Sequence, residues 1–111
     1  MTIDDLRDYG ANVDEGLTRC LNNKDFYIKL VNMAIADNKI EQLEKQINES
    51  NFEAAFEIAH TIKGMYANLA LTPISAPASE ITELLRNKVD TDYTELLDRL
   101  KTAKRKLDEL A

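Results

Sequence analysis

Residues 50–69 read Ser50-Asn51-Phe52-Glu53-Ala54-Ala55-Phe56-Glu57-Ile58-Ala59-His60-Thr61-Ile62-Lys63-Gly64-Met65-Tyr66-Ala67-Asn68-Leu69. Phe52, Ala55, Phe56, Ala59, Ile62, Tyr66 and Leu69 return every three or four positions, the repeat of one face of an α-helix. A seam held over this many turns predicts one long helix. Ser50 stands three residues before Glu53, the spacing of a capping box that would open it. His60, the only histidine in the chain, falls about 100° round from Ala59 and so off the seam. Lys63, Gly64, Ala67 and Asn68 follow His60 at helical offsets and share its stripe. An ionisable ring is thereby set beside a cation, an amide and two residues with almost no side chain.

The rest of the chain supplies the frame for that helix. Its 111 residues suit one domain with one modest core. Three glycines and two prolines are too few to punctuate a many-stranded sheet, and Leu, Ile, Ala, Glu and Lys favour helices. A net charge of -6 lacks the basic footprint of a nucleic-acid binder. The single cysteine, Cys20, excludes an internal disulfide and reads as a small packed apolar group. No apolar run approaches the roughly 20 residues that span a bilayer, and Met1-Thr2-Ile3-Asp4-Asp5 is unlike a signal peptide. These features predict a cytoplasmic protein. The Met1 start and short tails favour a free-standing one.

In chain order, Thr2 caps a short helix stopped by Gly10, and Asn12 to Glu15 opens a second that runs to about Leu21. Asn23 caps a third over Lys24 to about Ala36. That helix is apolar on too many sides for one stripe, with Ile28, Met33 and Ile35 the expected surplus. Ile40, Leu43 and Ile47 carry a fourth helix to Asn48. After the central helix, Thr72 is the expected cap of the next, with Pro73 in its first turn. Pro77 predicts irregular structure as far as Ser75, or a kink. Asp92 to Glu95 has capping-box spacing for a last helix whose seam is Tyr93, Leu96, Leu97, Leu100, Ala103, Leu107 and Leu110. Lys101, Lys104, Arg105 and Lys106 lie in its second half and read as a solvated face. The fold class is all-α: an antiparallel up-down four-helix bundle with short N-terminal helices.

A lone histidine on such a helix has four possible roles. It can be an ordinary polar surface residue. As a metal ligand it would use the Glu57-to-His60 spacing of di-iron bundles, but those sites need two such pairs facing inward. As a hydrolase base it would need a nucleophile, an orienting acid and a cleft. As a phosphoryl acceptor it needs only a free ring nitrogen, a nearby cation and room for a partner. Lys63 lies one turn away to meet the added negative charge. Gly64 and Ala67 leave the ring unshielded.

Ala59-His60-Thr61-Ile62-Lys63-Gly64, followed by Ala67-Asn68-Leu69, closely resembles the signature of the histidine-containing phosphotransfer (HPt) domains of two-component phosphorelays. Val13-Asp14-Glu15-Gly16-Leu17 through Asn22, Phe26-Tyr27, and Leu71-Thr72 to Glu80 are spaced as in that family. The resemblance implies that His60 is phosphorylated on the ring nitrogen farther from the backbone. It implies that Lys63 stabilises the phosphate, that Gly64 permits close approach and that Asn68 borders the docking surface. Glu57, Gly64, Ala67 and Asn68 form the expected partner-facing set. The implied partners are response-regulator receiver domains and a hybrid histidine kinase, with neither nucleic acid nor membrane and no oligomerisation of the chain. No cofactor is implied for this chain, because Mg²⁺ belongs to the receiver. The resemblance implies a phosphocarrier without kinase activity of its own. Met65, Tyr66, Ala70 and Pro77 depart from the family pattern. Tyr66 is on the seam, where it repacks the core. Ala70 and Pro77 bear on the connection after the His60 helix. The histidine-kinase dimerisation domain is a poorer likeness: Thr61 stands where an acidic residue is usual, and no proline comes before Pro73. A helical module that docks receivers or kinases without carrying phosphate is the alternative function.

Overall fold

The computed structural model describes residues 1–111 and consists of seven α-helices. They are α1 (Ile3–Tyr9), α2 (Val13–Arg19), α3 (Lys24–Ile35), α4 (Lys39–Asn48), α5 (Phe52–Asn68), α6 (Thr72–Arg86) and α7 (Thr94–Asp108). The long helix α5 is central. It packs most extensively on α6 and also on α4; α6 packs on α7, and α7 reaches back to α4 and α3. The connections at 49–51 and 69–71 are short, and the helices they join, α4 with α5 and α5 with α6, lie side by side. Buried residues from all seven helices form one cluster, from Leu6 and Val13 at the N-terminus to Leu100 and Leu107 at the C-terminus.

Local signals in the sequence explain the first three helix starts. Thr2 and Asp5 form a reciprocal capping box, and the side chains of Asn12 and Asn23 accept from the backbone N–H groups of Glu15 and Phe26. The later starts differ from the sequence expectation. Asn51, not Ser50, occupies the cap position of α5, and its side chain makes no capping bond but donates to Gln46 Oε1 at 3.0 Å. Ser50 is taken up by the end of α4, where it sits at φ 58°. Thr72 is already inside α6, one residue after a cap position held by Leu71. Asp92 does not cap with Glu95; its carboxylate accepts from the backbone N–H and the hydroxyl of Thr94 at 2.9 and 2.6 Å, ahead of an α7 that begins at Thr94.

Of the two expectations at Pro77, irregular structure as far as Ser75 is overturned. Pro77 lies buried inside α6, which is helical from Thr72 onward. The lost N–H would have met the carbonyl of Pro73 in the opening turn, and Pro73 itself is only half-buried. Burial of the Pro77 ring in the core compensates.

The helix stops follow one pattern. After α2, α4, α5 and α6 the residues Leu21, Ser50, Ala70 and Lys88 take left-handed φ values of 54 to 58°. Behind them, Asn22, Asn51, Leu71 and Val89 donate their N–H groups to Leu17, Gln46, Tyr66 and Leu84. These are Schellman closures, which normally place glycine at the left-handed residue. Here only Gly10, after α1, is a glycine. The Ala70 carbonyl in turn accepts from the Asn12 N–H at 2.9 Å, which joins the start of α2 to the α5–α6 connection.

Three phenols tie distant helices together. Tyr27 donates to the Leu69 carbonyl at 2.7 Å, Tyr66 to the Ala34 carbonyl at 3.0 Å and Tyr9 to the Ala103 carbonyl at 2.8 Å. Lys104 donates to the Ile35 carbonyl at 2.8 Å and so supplies a cap to the end of α3 from α7. Lys101 pairs with Glu44 across the α4–α7 contact at 2.7 Å. The expected solvated basic face is thus partly used to join helices. Cys20 is buried, as its small apolar character predicts. On α3, Met33 is the exposed surplus while Ile28 and Ile35 are half-buried; Phe26 is exposed as well.

Candidate functional site

The core side of α5 is Ala55, Ala59, Ile62 and Tyr66, all buried. Two alanines on that face let α6 approach closely, and the large Tyr66 is accommodated through its hydroxyl bond to α3. Rotation by one residue from Ala59 brings His60 to the surface, where it is exposed. Glu57, Gly64, Ala67 and Asn68 are exposed along the same side, and Lys63 is half-buried. All six residues singled out in the sequence therefore lie on one helix, on the side away from the core.

The imidazole of His60 makes no hydrogen bond with protein groups, so neither ring nitrogen is tied down. One face of it is supported instead: the ring of Phe56, one turn earlier, lies 6.0 Å away at an interplanar angle of 22°. Phe56 belongs to the seam by spacing, yet it is only half-buried, and its outer part serves His60. Arg86 of α6 covers the Phe56 ring at 5.2 Å. The Lys63 ammonium forms no ion pair, whereas seven other cations in the molecule do. Its charge is available for an anion arriving from outside.

The three glycines separate by what surrounds them. A Cβ on Gly16 would stand 2.6 Å from the Tyr27 ring, and Gly10 holds φ 112° against Pro73. Both are demanded by the fold. A Cβ on Gly64 would meet nothing within 4 Å, and Gly64 has an ordinary helical backbone. Glycine inside a helix costs about 0.5–1 kcal/mol relative to alanine. Nothing within the chain offsets that cost at Gly64.

Beside the site a groove is lined by Phe52, Phe56, Leu85, Arg86, Val89 and Tyr93; it stops at Phe56 and does not include His60. The histidine stands on an open helix surface rather than in a cleft, which suits reaction with an approaching macromolecule rather than enclosure of a small substrate. Glu57 and His60 are neighbours, but no group of three or more His, Cys, Asp or Glu side chains converges anywhere in the molecule. Arg19 of α2 completes the C-terminal end of the stripe. Its guanidinium donates to the Ala67 carbonyl at 2.7 Å and pairs with Glu15 at 2.6 Å.

Residues 34–110 match the family model described as the Hpt domain. The chain belongs to the Hpt family. The match takes in α4 to α7 and therefore the whole of the His60 stripe; it begins at the end of α3, so the likeness read at Val13 to Asn22 and at Phe26-Tyr27 lies outside it. Comparison with curated proteins and with solved structures found no match for this Hpt chain. Hpt membership implies histidine phosphotransfer in two-component signalling, and Hpt domains interact with response-regulator receiver domains. No helix of this Hpt chain is long and apolar enough to cross a membrane.

Sequence reasoning missed Phe56, Arg86 and Arg19 at the site. Phe56 was hidden because its spacing marks it as core. Arg86 and Arg19 come from other helices, and no local pattern announces that they converge on α5.

Proposed function

We propose that this chain is a phosphocarrier in which His60 takes a phosphoryl group from a receiver-domain aspartate and passes it to another receiver. The observation that carries this reading is the exposed His60 ring, free of internal hydrogen bonds, inside the part of the chain that matches the Hpt family. In the forward step the lone pair of Nε2 forms a bond to phosphorus while the P–O bond of the acyl phosphate breaks. The electrons of that bond leave on the aspartate carboxylate, and the proton on Nδ1 stays on the ring. The return step reverses each of these. Lys63 neutralises charge on the phosphoryl oxygens, and the receiver supplies Mg²⁺ and the acid groups. Glu57, Gly64, Ala67 and Asn68 form the surface on which the receiver rests. The chain then needs no cofactor and no kinase activity of its own. A hybrid kinase is a further partner under this reading.

The same reading takes the whole chain as one cytoplasmic, monomeric domain, with α4, α5, α6 and α7 as an antiparallel up-down four-helix bundle. The contacts of α5 with α4 and α6, of α6 with α7 and of α7 with α4 support that arrangement, as do the short connections. The test is incubation with a phosphorylated receiver domain and Mg²⁺. An acid-labile, base-stable label at His60, lost in His60→Gln and shorter-lived in Lys63→Ala with unchanged unfolding, is expected. Receiver binding without any label at His60 would replace the carrier by a docking module.

A further inference from the structure

Lys63 stands one turn C-terminal to His60 on α5, and Phe56 stands one turn N-terminal to it. Arg86 of α6 lies on the Phe56 ring at 5.2 Å, and the same ring supports the imidazole at 6.0 Å. The sum of the two distances, about 11 Å, is the farthest the guanidinium carbon can be from the imidazole centre. A phosphoryl group on the ring projects outward from the helix, and an exposed arginine side chain swings freely over several ångströms. The guanidinium is also held loosely. Its one ion pair, Nε to Glu83 Oε1 at 3.4 Å, joins two half-exposed side chains at i,i+3, a contact of small weight. That pair engages Nε and leaves both terminal amino groups of the fork without a protein partner.

We infer that Arg86 is a second phosphoryl-stabilising residue, which leaves its place on Phe56 to take the oxygens of phosphorylated His60 through its terminal amino groups. The inference rests on the phosphocarrier reading of His60. Along α5 the two cations fall on either side of His60, Lys63 one turn after it and Arg86 at the level of Phe56, one turn before it. A planar fork matches two phosphoryl oxygens, where the lysine offers a point charge. Glu83 acts against it: its carboxylate competes for the guanidinium and repels the arriving dianion. Phe56 provides the resting surface in the unphosphorylated state and keeps the arginine near without neutralising it.

The experiment uses the intact chain and phosphoramidate, a small donor that needs no receiver. Its P–N bond breaks as the His60 N–P bond forms, and ammonia leaves. With one histidine in the chain, a phosphohistidine ³¹P signal reports on His60 alone. The half-life of that signal, and the equilibrium of transfer to a receiver with Mg²⁺, are compared between wild type and variants. Arg86→Gln is expected to shorten the half-life and shift the equilibrium toward the receiver by roughly two- to fivefold, the range of an exposed charge pair. Arg86→Lys should recover part of the loss, and Glu83→Gln should shift both quantities the other way. The Arg86→Gln effect should shrink as salt is raised, which a merely structural defect would not do. A labelled wild type with the same half-life and equilibrium in Arg86→Gln overturns the inference and leaves the carrier reading standing. Absence of the signal in wild type overturns the carrier reading itself.

Discussion

At the residue scale the most informative position is one where nothing happens inside the chain. The fold enforces Gly10 through its backbone angle and Gly16 through the Tyr27 ring, but makes no demand at Gly64. Alanine there fits without displacement and removes a helix penalty, so Gly64→Ala should raise stability by about 0.5–1 kcal/mol in urea unfolding. Gly64→Gln should fold as well as wild type yet lose receiver affinity and transfer rate, because in the proposed docking its side chain would stand in the path of the receiver. Unaltered affinity in Gly64→Gln would remove Gly64 from the docking surface. The glycine was legible in the sequence as part of the motif. Its dispensability to the fold was not, because that depends on what α6 and the N-terminal helices leave uncovered. Phe56 is the converse case: its spacing placed it in the core, and only the packed helices reveal that its outer face belongs to His60.

At the element scale, periodicity located every helix, while the termini were read less well. Three polar residues at capping distance from a helix start, Ser50, Thr72 and Asp92, do other things in the structure. Short polar side chains serve helix ends, Asx turns and first turns alike, and the sequence does not say which neighbour wins. The stops were obscured for a related reason. Four Schellman closures use residues other than glycine, so the usual punctuation is missing. Such residues in the left-handed region cost about 1–2 kcal/mol relative to a right-handed backbone, a cost glycine avoids. Ala70, at φ 56° and buried, is the cleanest case. Its methyl group contributes little, and both closing hydrogen bonds are main-chain. Ala70→Gly should therefore stabilise the protein by about 1 kcal/mol, seen as a higher urea midpoint at unchanged slope. A loss of stability would mean that the Ala70 methyl packs better than its size suggests.

At the scale of the whole molecule, the fold is held by one continuous core and fastened by phenols that reach from helix to helix. Burial pushes the Tyr27 hydroxyl up to about 12, with a smaller push from the Cys20 thiol. Tyr66 is raised further, by burial first and then by the charges of Asp37 and Asp108. Tyr9 is raised in the same direction by burial and by Tyr66 and Asp108. An ionised phenol could no longer donate to Leu69, Ala34 or Ala103, so the folded state keeps these protons. The unfolded chain releases them from about pH 10. The folded values are raised, so this stabilisation is complete below pH 10 and is lost as pH climbs toward the folded values. Each fully buried tyrosine removes up to about 1.4 kcal/mol per pH unit in that window. Tyr27 and Tyr66 together should cost about 3 kcal/mol by pH 11. Urea midpoints should accordingly be level between pH 8 and 9.5 and fall steeply beyond it. Tyr66→Phe should lower the midpoint at pH 8 by the value of one buried hydrogen bond, about 1 kcal/mol, and, as one of these three raised phenols, flatten the alkaline fall by roughly a third. A Tyr66→Phe profile parallel to wild type would show that the alkaline loss comes from other groups. The bond from Tyr66 to Ala34 also links the reverse face of the His60 helix to α3. Phosphoryl transfer by Tyr66→Phe at neutral pH should therefore stay near wild type, because the side of α5 that bears His60 does not depend on that bond for its exposure.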